Sequence, residues 1–129
     1  MFEEQLKKAI QDEYQSYYWY RSMLELTKDP TWRSYLERMI TDQKCHYEMF
    51  QQLYYMLTEK YVQKLTKKPP CKDFKACVKE ALGKELEATD LYKEMFLNVP
   101  IEQGQYPLFI AMQDGMEHAI RFSTIYNAL

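Results

Sequence analysis

The sequence predicts an all-α protein, an antiparallel four-helix bundle in up-down-up-down order. The 129-residue chain contains only three glycines and five prolines, so long regular elements are expected. Apolar residues recur at helical spacing in four segments, and most of the prolines separate these segments. The chain also repeats one helical hairpin. A single coiled-coil rod is the alternative, but prolines at intervals along the chain argue against it.

The first two predicted helices each carry one apolar stripe. Helix one is expected over about residues 2–28, where apolar side chains recur every three or four positions. Asp29 and Pro30 end it and begin helix two, which is expected over about residues 31–66. Pro69 follows, and because the residue before a proline avoids the helical region, helix two has to end before it.

The third and fourth helices follow the same pattern. Helix three is predicted over about residues 72–97 and helix four over about residues 106–128, with Pro100 in the loop between them. Four helices of this length joined by short loops favour an up-down-up-down arrangement. All of residues 1–129 are therefore expected to form a single domain.

The two halves of the chain, about residues 1–66 and 72–129, align without a gap at an offset of 72 positions. Such a repeat predicts two copies of one hairpin related by an approximate two-fold axis. Residues that are equivalent in the two halves should then face each other across the core. The offset pairs Phe2 with Phe74, Glu13 with Glu85, Tyr20 with Tyr92, Asp42 with Asp114, His46 with His118 and Phe50 with Phe122.

Each predicted helix has one ionisable residue on its apolar stripe. These residues are Glu13, His46, Glu85 and His118. Burying such groups is costly unless they are paired or bind a metal ion. One buried histidine alone is usually a hydrogen-bonded core residue, but two histidines and two glutamates related by a repeat favour a metal site. The alternative is a bundle unrelated to metal, in which the histidines form polar networks with Asp42 and Asp114.

The stretches around these residues resemble the four motifs of the ferritin-like di-metal carboxylate superfamily, in its order. Those proteins use a glutamate from each of two helices and Glu-x-x-His from each of the other two. The matching stretches are residues 12–14, 42–50, 84–88 and 114–118. The likeness is greatest to small bacterial rubrerythrin-like domains that lack the rubredoxin module.

The resemblance implies that Glu13, His46, Glu85 and His118 are metal ligands, with iron or manganese as the cofactor. It also implies that Asp42 and Asp114 each hydrogen-bond the histidine of the other motif, which would fix its tautomer. Three further residues are expected beside the ligands. They are Gln43, Tyr20 and Tyr92.

The sequence departs from the superfamily at the two glutamates that usually bridge the metal ions. Gln43 and Gly115 occupy these positions, three residues before His46 and His118. Four carboxylates balance two divalent ions, whereas two carboxylates and two neutral imidazoles balance only one. Alternatively, Asp42 and Asp114 could turn inward and supply the missing negative charge, because residues four apart share a helical face.

We therefore predict a degenerate site that binds one metal ion at most or none, in a protein with a structural or interaction role. The competing hypothesis is an active di-iron or di-manganese oxidoreductase that acts on dioxygen or peroxide with an altered ligand set and an unknown electron donor. Whether the chain is an enzyme stays open between these two hypotheses.

The remaining composition bears on partners and location. A net charge of −2 without a basic cluster argues against nucleic-acid binding. No apolar run is long enough to span a membrane and no secretory segment begins the chain, so a cytoplasmic location is expected. No C-x-x-C pair occurs, which excludes a rubredoxin-like site, and a Cys71–Cys77 disulfide is left open. The aromatic run at residues 14–20 surrounds helix one and predicts a homodimer that covers part of it.

Overall fold

The computed structural model describes residues 1–129 and contains four long helices and no strand. The helices are α1 (Phe2–Leu24), α2 (Pro30–Thr58), α3 (Phe74–Leu97) and α4 (Gln105–Ala128), with a 3-10 turn at Glu102–Gly104. They pack into one bundle, which confirms the predicted all-α four-helix class. None of the helices combines the length and the apolar character that crossing a membrane would require.

The start of α2 matches the sequence prediction, but its end does not. The Asp29 carboxylate accepts hydrogen bonds from the Thr31 and Trp32 backbone N–H groups, and Pro30 occupies the first turn. The helix stops at Thr58, well before residue 66, because Glu59 adopts a left-handed conformation with φ of 60°. The Gln51 amide then replaces helical hydrogen bonds, since it both donates to and accepts from the Val62 backbone.

Residues 59–73 form a long connection that returns along α1. The Gln11 side chain exchanges two hydrogen bonds with the Thr66 backbone, and Ser22 Oγ accepts from the Cys71 N–H farther along α1. The connection therefore carries the chain back to the end of the bundle at which α2 began. As a result α3 runs in the same direction as α2.

This return corrects the predicted order of directions from up-down-up-down to up-down-down-up. The helix pairs that pack as neighbours are α1 with α2, α3 with α4, α1 with α3 and α2 with α4. Every one of these pairs is antiparallel, so the antiparallel character of the prediction holds. The expected short loop between α2 and α3 was the source of the difference, because a short loop would have required those two helices to be antiparallel neighbours.

The apolar core consists of two clusters, one toward each end of the bundle. The cluster near the start of α2 includes Met23, Leu36, Met39, Val78, Phe122 and Ile125. The cluster near its end includes Leu6, Ile10, Phe50, Leu53, Met95 and Leu108. Each helix contributes to both clusters and carries its buried ionisable residue between the two contributions. The core is thus divided by a polar layer.

A disulfide joins Cys71 at the end of the connection to Cys77 in the first turn of α3, which settles the pairing that the sequence left open. Cys45 is a free, exposed thiol. Disulfides are more frequent in oxidising compartments than in the cytoplasm, so this bond does not favour a cytoplasmic location, which stays a prediction.

Candidate functional site

The four residues predicted as metal ligands meet in the polar layer. Glu13 of α1, His46 of α2, Glu85 of α3 and His118 of α4 are each between 1% and 4% exposed. The centroids of the two imidazole rings lie 6.3 Å apart, and the ring planes are inclined by 27°. The apolar stripes position these side chains, because each residue lies one or two helical turns from fully buried residues on the same face.

In the first half of the layer, His46 lies between two carboxylates. Its Nδ1 donates to Glu13 Oε2 over 3.2 Å, and its Nε2 donates to Asp114 Oδ2 over 2.7 Å. The Tyr92 hydroxyl donates to the other oxygen of Glu13. The aspartate belongs to the opposite hairpin, so this chain of contacts connects the two halves of the molecule.

The second half repeats the same contacts at an offset of 72 residues. His118 Nδ1 donates to Glu85 Oε2 over 2.9 Å, and Nε2 donates to Asp42 Oδ2 over 2.8 Å. The Tyr20 hydroxyl donates to Glu85 Oε2 over 2.8 Å. Each of these three residue pairs therefore has its counterpart in the other half, although Tyr20 and His118 share one oxygen of Glu85. Asp42 and Asp114 contact the histidine of the opposite motif, as both the resemblance and the metal-free alternative anticipated, and neither rotates toward the space between the glutamates.

The carboxylates determine the protonation of both histidines. Burial lowers the pKa of His46, but the Glu13 charge and the hydrogen bond to Asp114 outweigh burial and raise that pKa to about 10. For His118, burial is likewise outweighed by hydrogen bonds to Asp42 and Glu85, and the pKa rises to about 9. Both imidazoles are therefore cations at neutral pH, with a proton on each ring nitrogen.

The tyrosines and one aspartate respond to the same charges. Burial and the Glu85 carboxylate raise the pKa of Tyr20 well above its usual value, and burial and Glu13 do the same for the pKa of Tyr92. Burial opposes ionisation of Asp42, but its hydrogen bond from His118 and the nearby cations leave the pKa of Asp42 lowered. Both phenols thus stay protonated and act as donors to the glutamates.

The two halves differ at residues 43 and 115, where the resemblance predicted bridging glutamates. Gln43 is buried, and its Nε2 donates to Ser16 Oγ over 2.7 Å, while its Oε1 has no hydrogen-bond partner. Gly115 faces Thr89, whose Oγ1 lies 2.5 Å from the position that a Cβ on residue 115 would occupy. A serine–glutamine pair therefore occupies the space at residue 43, and a threonine occupies the space at residue 115.

Ser16 and Thr89 are the residues of this layer that sequence reasoning missed. The repeat did not single them out, because Ser16 aligns with Ala88 and Tyr17 with Thr89, and most other aligned positions differ as well. These mismatches lie one helical turn from the conserved pair Glu13 and Glu85. Both residues are identified only by their contacts, Ser16 with Gln43 and Thr89 beside Gly115.

A cavity of about 180 Å³ leads from the surface between α1 and α3 to this layer. Glu13, Glu85 and Gln43 lie among its lining residues, as do both buried tyrosines. Lys8, Lys68 and Lys84 lie among the lining residues outside the buried layer. Small solutes can therefore approach the glutamates from one side of the bundle.

A di-metal centre does not fit the residues present. No three or more His, Cys, Asp or Glu side chains form a group that could hold a metal ion. Each histidine has a carboxylate at both ring nitrogens, and the bridging positions supply an amide and a glycine. Asp42 and Asp114 are held at the Nε2 atoms of the histidines, so only Glu13 and Glu85 would remain as buried carboxylate ligands for two divalent cations.

Comparisons with known proteins identify the fold alone. No protein-family model matches the chain, and no curated protein matches it. A solved structure of a hypothetical protein from Pyrococcus furiosus is similar over 98% of this chain and 89% of its own, with a TM-score of 0.86 and 18% sequence identity. At that identity the likeness shows a shared four-helix architecture and carries no function.

Proposed function

We propose that this chain is a ferritin-like, rubrerythrin-like domain in which a network of ion pairs has replaced the di-metal centre, so that it binds one divalent ion at most. Its role is then structural or that of an interaction module. The observation that carries the proposal is the content of the two bridging positions. Gln43 donates a hydrogen bond to Ser16, and Thr89 fills the space beside Gly115.

The ion pairs of the polar layer support the same conclusion. Each of the two imidazolium ions lies between a buried glutamate and a partly exposed aspartate, so both ring nitrogens of each histidine are already engaged. A metal ion at either half would have to displace a proton from an imidazole and take over a carboxylate that already accepts two hydrogen bonds. One ion at one half is compatible with this exchange, whereas two ions would remove both cations that hold the layer together.

Restoring the bridging carboxylates tests the proposal. The variant Gln43→Glu/Gly115→Glu alone would place a side chain against Thr89, so the test adds Thr89→Ala. We expect anaerobic calorimetric titration with ferrous or manganous ion to give one equivalent or none for the wild-type protein and two for the triple variant. The triple variant without metal should be less stable, because two further carboxylates would be buried beside Glu13 and Glu85, and metal should recover the loss.

Thr89→Ala alone is the matched control, since it opens the space beside Gly115 without adding charge and should leave the wild-type stoichiometry unchanged. Tight uptake of two equivalents by the wild-type protein would overturn the proposal. A folded triple variant that binds no metal would show that residues 43 and 115 do not correspond to the bridging positions of the superfamily.

A second candidate function is an oxidoreductase acting on dioxygen or peroxide with this altered ligand set. The cavity between α1 and α3 favours it, because it gives small molecules access to Glu13 and Glu85. The test is peroxide consumption by protein purified from iron- or manganese-supplemented culture, compared with Glu13→Gln/Glu85→Gln protein treated alike. Equal rates for the two proteins would exclude this candidate.

A further inference from the structure

The outer surface of α4 carries an apolar stripe that nothing in the bundle covers. Its residues are Tyr106, Phe109, Gln113, Met116 and Ile120, which we name the α4 stripe. The four apolar members are 68%, 45%, 51% and 66% exposed, in that order. Their spacing alternates between three and four residues, as in the contact seam of two packed helices. A contiguous exposed patch of this kind usually marks an interaction site.

The internal repeat supplies a comparison within the same molecule. The positions of α2 that correspond to the α4 stripe are also exposed, but they hold only polar or charged residues. They are Ser34, Glu37, Thr41, Lys44 and Glu48. The fold therefore places no apolar requirement on this face of a helix. The apolar residues on α4 have to be explained by something that covers α4 and does not cover α2.

The charge of the face indicates the chemistry of the partner. The charged residues of α4 are only Asp114, Glu117 and Arg121, besides the buried His118, and of these three only Glu117 is exposed. Asp114 is held by His46 in the polar layer. On α4 itself, a strongly charged partner would find only Glu117 exposed to pair with. An equally uncharged apolar helix would bury the stripe without leaving an unpaired charge.

The apolar positions of the α4 stripe are spaced almost symmetrically on either side of Gln113. Tyr106 and Ile120 each lie seven positions from it, and Phe109 and Met116 lie four and three positions from it. A two-fold axis near Gln113 would therefore pack apolar residues against apolar residues along the whole stripe. At the axis the two Gln113 amides can pair with each other, because an amide carries both donors and an acceptor.

We infer that α4 is a homodimer interface in which the α4 stripe packs antiparallel against the same stripe of a second copy. The stripe has five residues, whereas a stable interface usually takes about 20–30 residues from each partner. The dimer should therefore dissociate on dilution. The aromatic run of α1, where the sequence predicted a dimer, is less suitable, since Tyr14, Tyr17 and Tyr18 are half-buried against each other and Tyr47.

The test copies residues of the exposed α2 face onto α4. Met116→Lys/Ile120→Glu gives the stripe the side chains found at the equivalent positions 44 and 48. We expect sedimentation velocity to show a concentration-dependent dimer for the wild-type protein and a monomer for this variant at the same concentrations. The control Lys44→Gln/Glu48→Gln, at the same positions on α2, should dimerise as the wild type does. Circular dichroism would verify that both variants are folded.

Crosslinking tests the position of the axis. In a Cys45→Ser background, Gln113→Cys should form an intermolecular disulfide on mild oxidation, while Thr41→Cys, its equivalent on α2, should not. A wild-type protein that remains monomeric up to several hundred micromolar would overturn the inference. A dimer that survives the α4 substitutions would also overturn the inference. If that dimer were lost in Tyr17→Ser/Tyr18→Ser, the interface would be assigned to α1.

Discussion

His46 and His118 each lie between a glutamate from their own hairpin and an aspartate from the other one. Both residues could be placed from the sequence, because a histidine on an apolar stripe is unusual and the repeat paired the two. Their protonation state could not be predicted from the sequence, because it depends on which atoms lie within hydrogen-bonding distance of each ring nitrogen. That arrangement is set by tertiary packing between α2 and α4.

The stability of the metal-free protein should fall as the pH rises through the alkaline range. The pKa values of His46 and His118 are raised to about 10 and about 9 in the folded state, from 6.5. A raised pKa means that the folded state binds the proton more tightly than the unfolded state does. The contribution of this proton to the free energy of unfolding is therefore full below about pH 6.5 and is lost as the pH passes the pKa of the folded state. We expect the midpoint of thermal unfolding, measured with chelator present, to decrease from pH 7 to pH 10.

A folded His46→Gln/His118→Gln variant provides the comparison for this pH profile, because lysines and tyrosines also titrate near pH 10. Its unfolding midpoint should decrease less over the same interval. Parallel profiles for the two proteins would mean that the histidines are not cations in the folded state.

Substitution of alanine for glycine should have opposite effects at Gly115 and at Gly83. Alanine is favoured over glycine within a helix by about 1 kcal/mol, and Gly83→Ala should show this gain because nothing lies within 4 Å of its added Cβ. Gly115→Ala should instead reduce the free energy of unfolding by about 1 kcal/mol, since overpacking outweighs the helical preference. Urea unfolding of both variants measures the difference.

Thr89→Ala should rescue Gly115→Ala, because it removes the Oγ1 that lies 2.5 Å from the new methyl group. The Thr89 hydroxyl makes no hydrogen bond, so its removal alone should cost little. If Gly115→Ala were as stabilising as Gly83→Ala, the packing of Thr89 against residue 115 would be refuted.

Among the elements, the connection at residues 59–73 was the one that sequence reasoning misjudged. Val62 and Leu65 continue the apolar periodicity of α2, which explains the prediction of a helix as far as residue 66. In the structure both pack against the core cluster near the end of α2 while lying outside the helix. Glutamine side chains satisfy the backbone there, and no periodicity in a sequence reports such long-range pairing.

Gln51→Ala should therefore destabilise the protein by about 1–2 kcal/mol, because the Val62 N–H and C=O would both lose their partner. Gln52→Ala is the matched control, since Gln52 is the next residue of α2 and is exposed. Its free energy of unfolding should change by less than about 0.5 kcal/mol. Similar losses in the two variants, measured by urea unfolding, would show that the Gln51 amide does not hold the connection.

At the scale of the whole molecule, the repeat was the most informative feature of the sequence. It predicted that α1 and α3, and α2 and α4, would be equivalent, and α3 does begin at Phe74, 72 residues after Phe2 begins α1. It could not predict the order of directions, because two hairpins related by a two-fold axis can be joined by a short loop or by a long return. Only the path of residues 59–73 distinguishes these arrangements.

The two-fold relationship predicts equal energetic roles for Asp42 and Asp114. Each accepts a hydrogen bond from the histidine of the opposite hairpin, over 2.8 Å and 2.7 Å respectively, and together they tie α2 to α4 in both directions. Replacing either one by asparagine removes a charge beside a buried imidazolium and keeps the shape of the side chain. We expect Asp42→Asn and Asp114→Asn each to lower the free energy of unfolding by about 2 kcal/mol at neutral pH, less than for fully buried pairs because both aspartates are partly exposed.

Asp12→Asn serves as the control for loss of a carboxylate in general. Asp12 pairs with Lys8 at the surface, where such a contact contributes well under about 1 kcal/mol. If only one of the two aspartate variants lost stability, the two halves of the layer would differ in energy despite their matching contacts. Equal losses, with little change for Asp12→Asn, would mean that the two ion pairs between α2 and α4 contribute equally to holding the hairpins together.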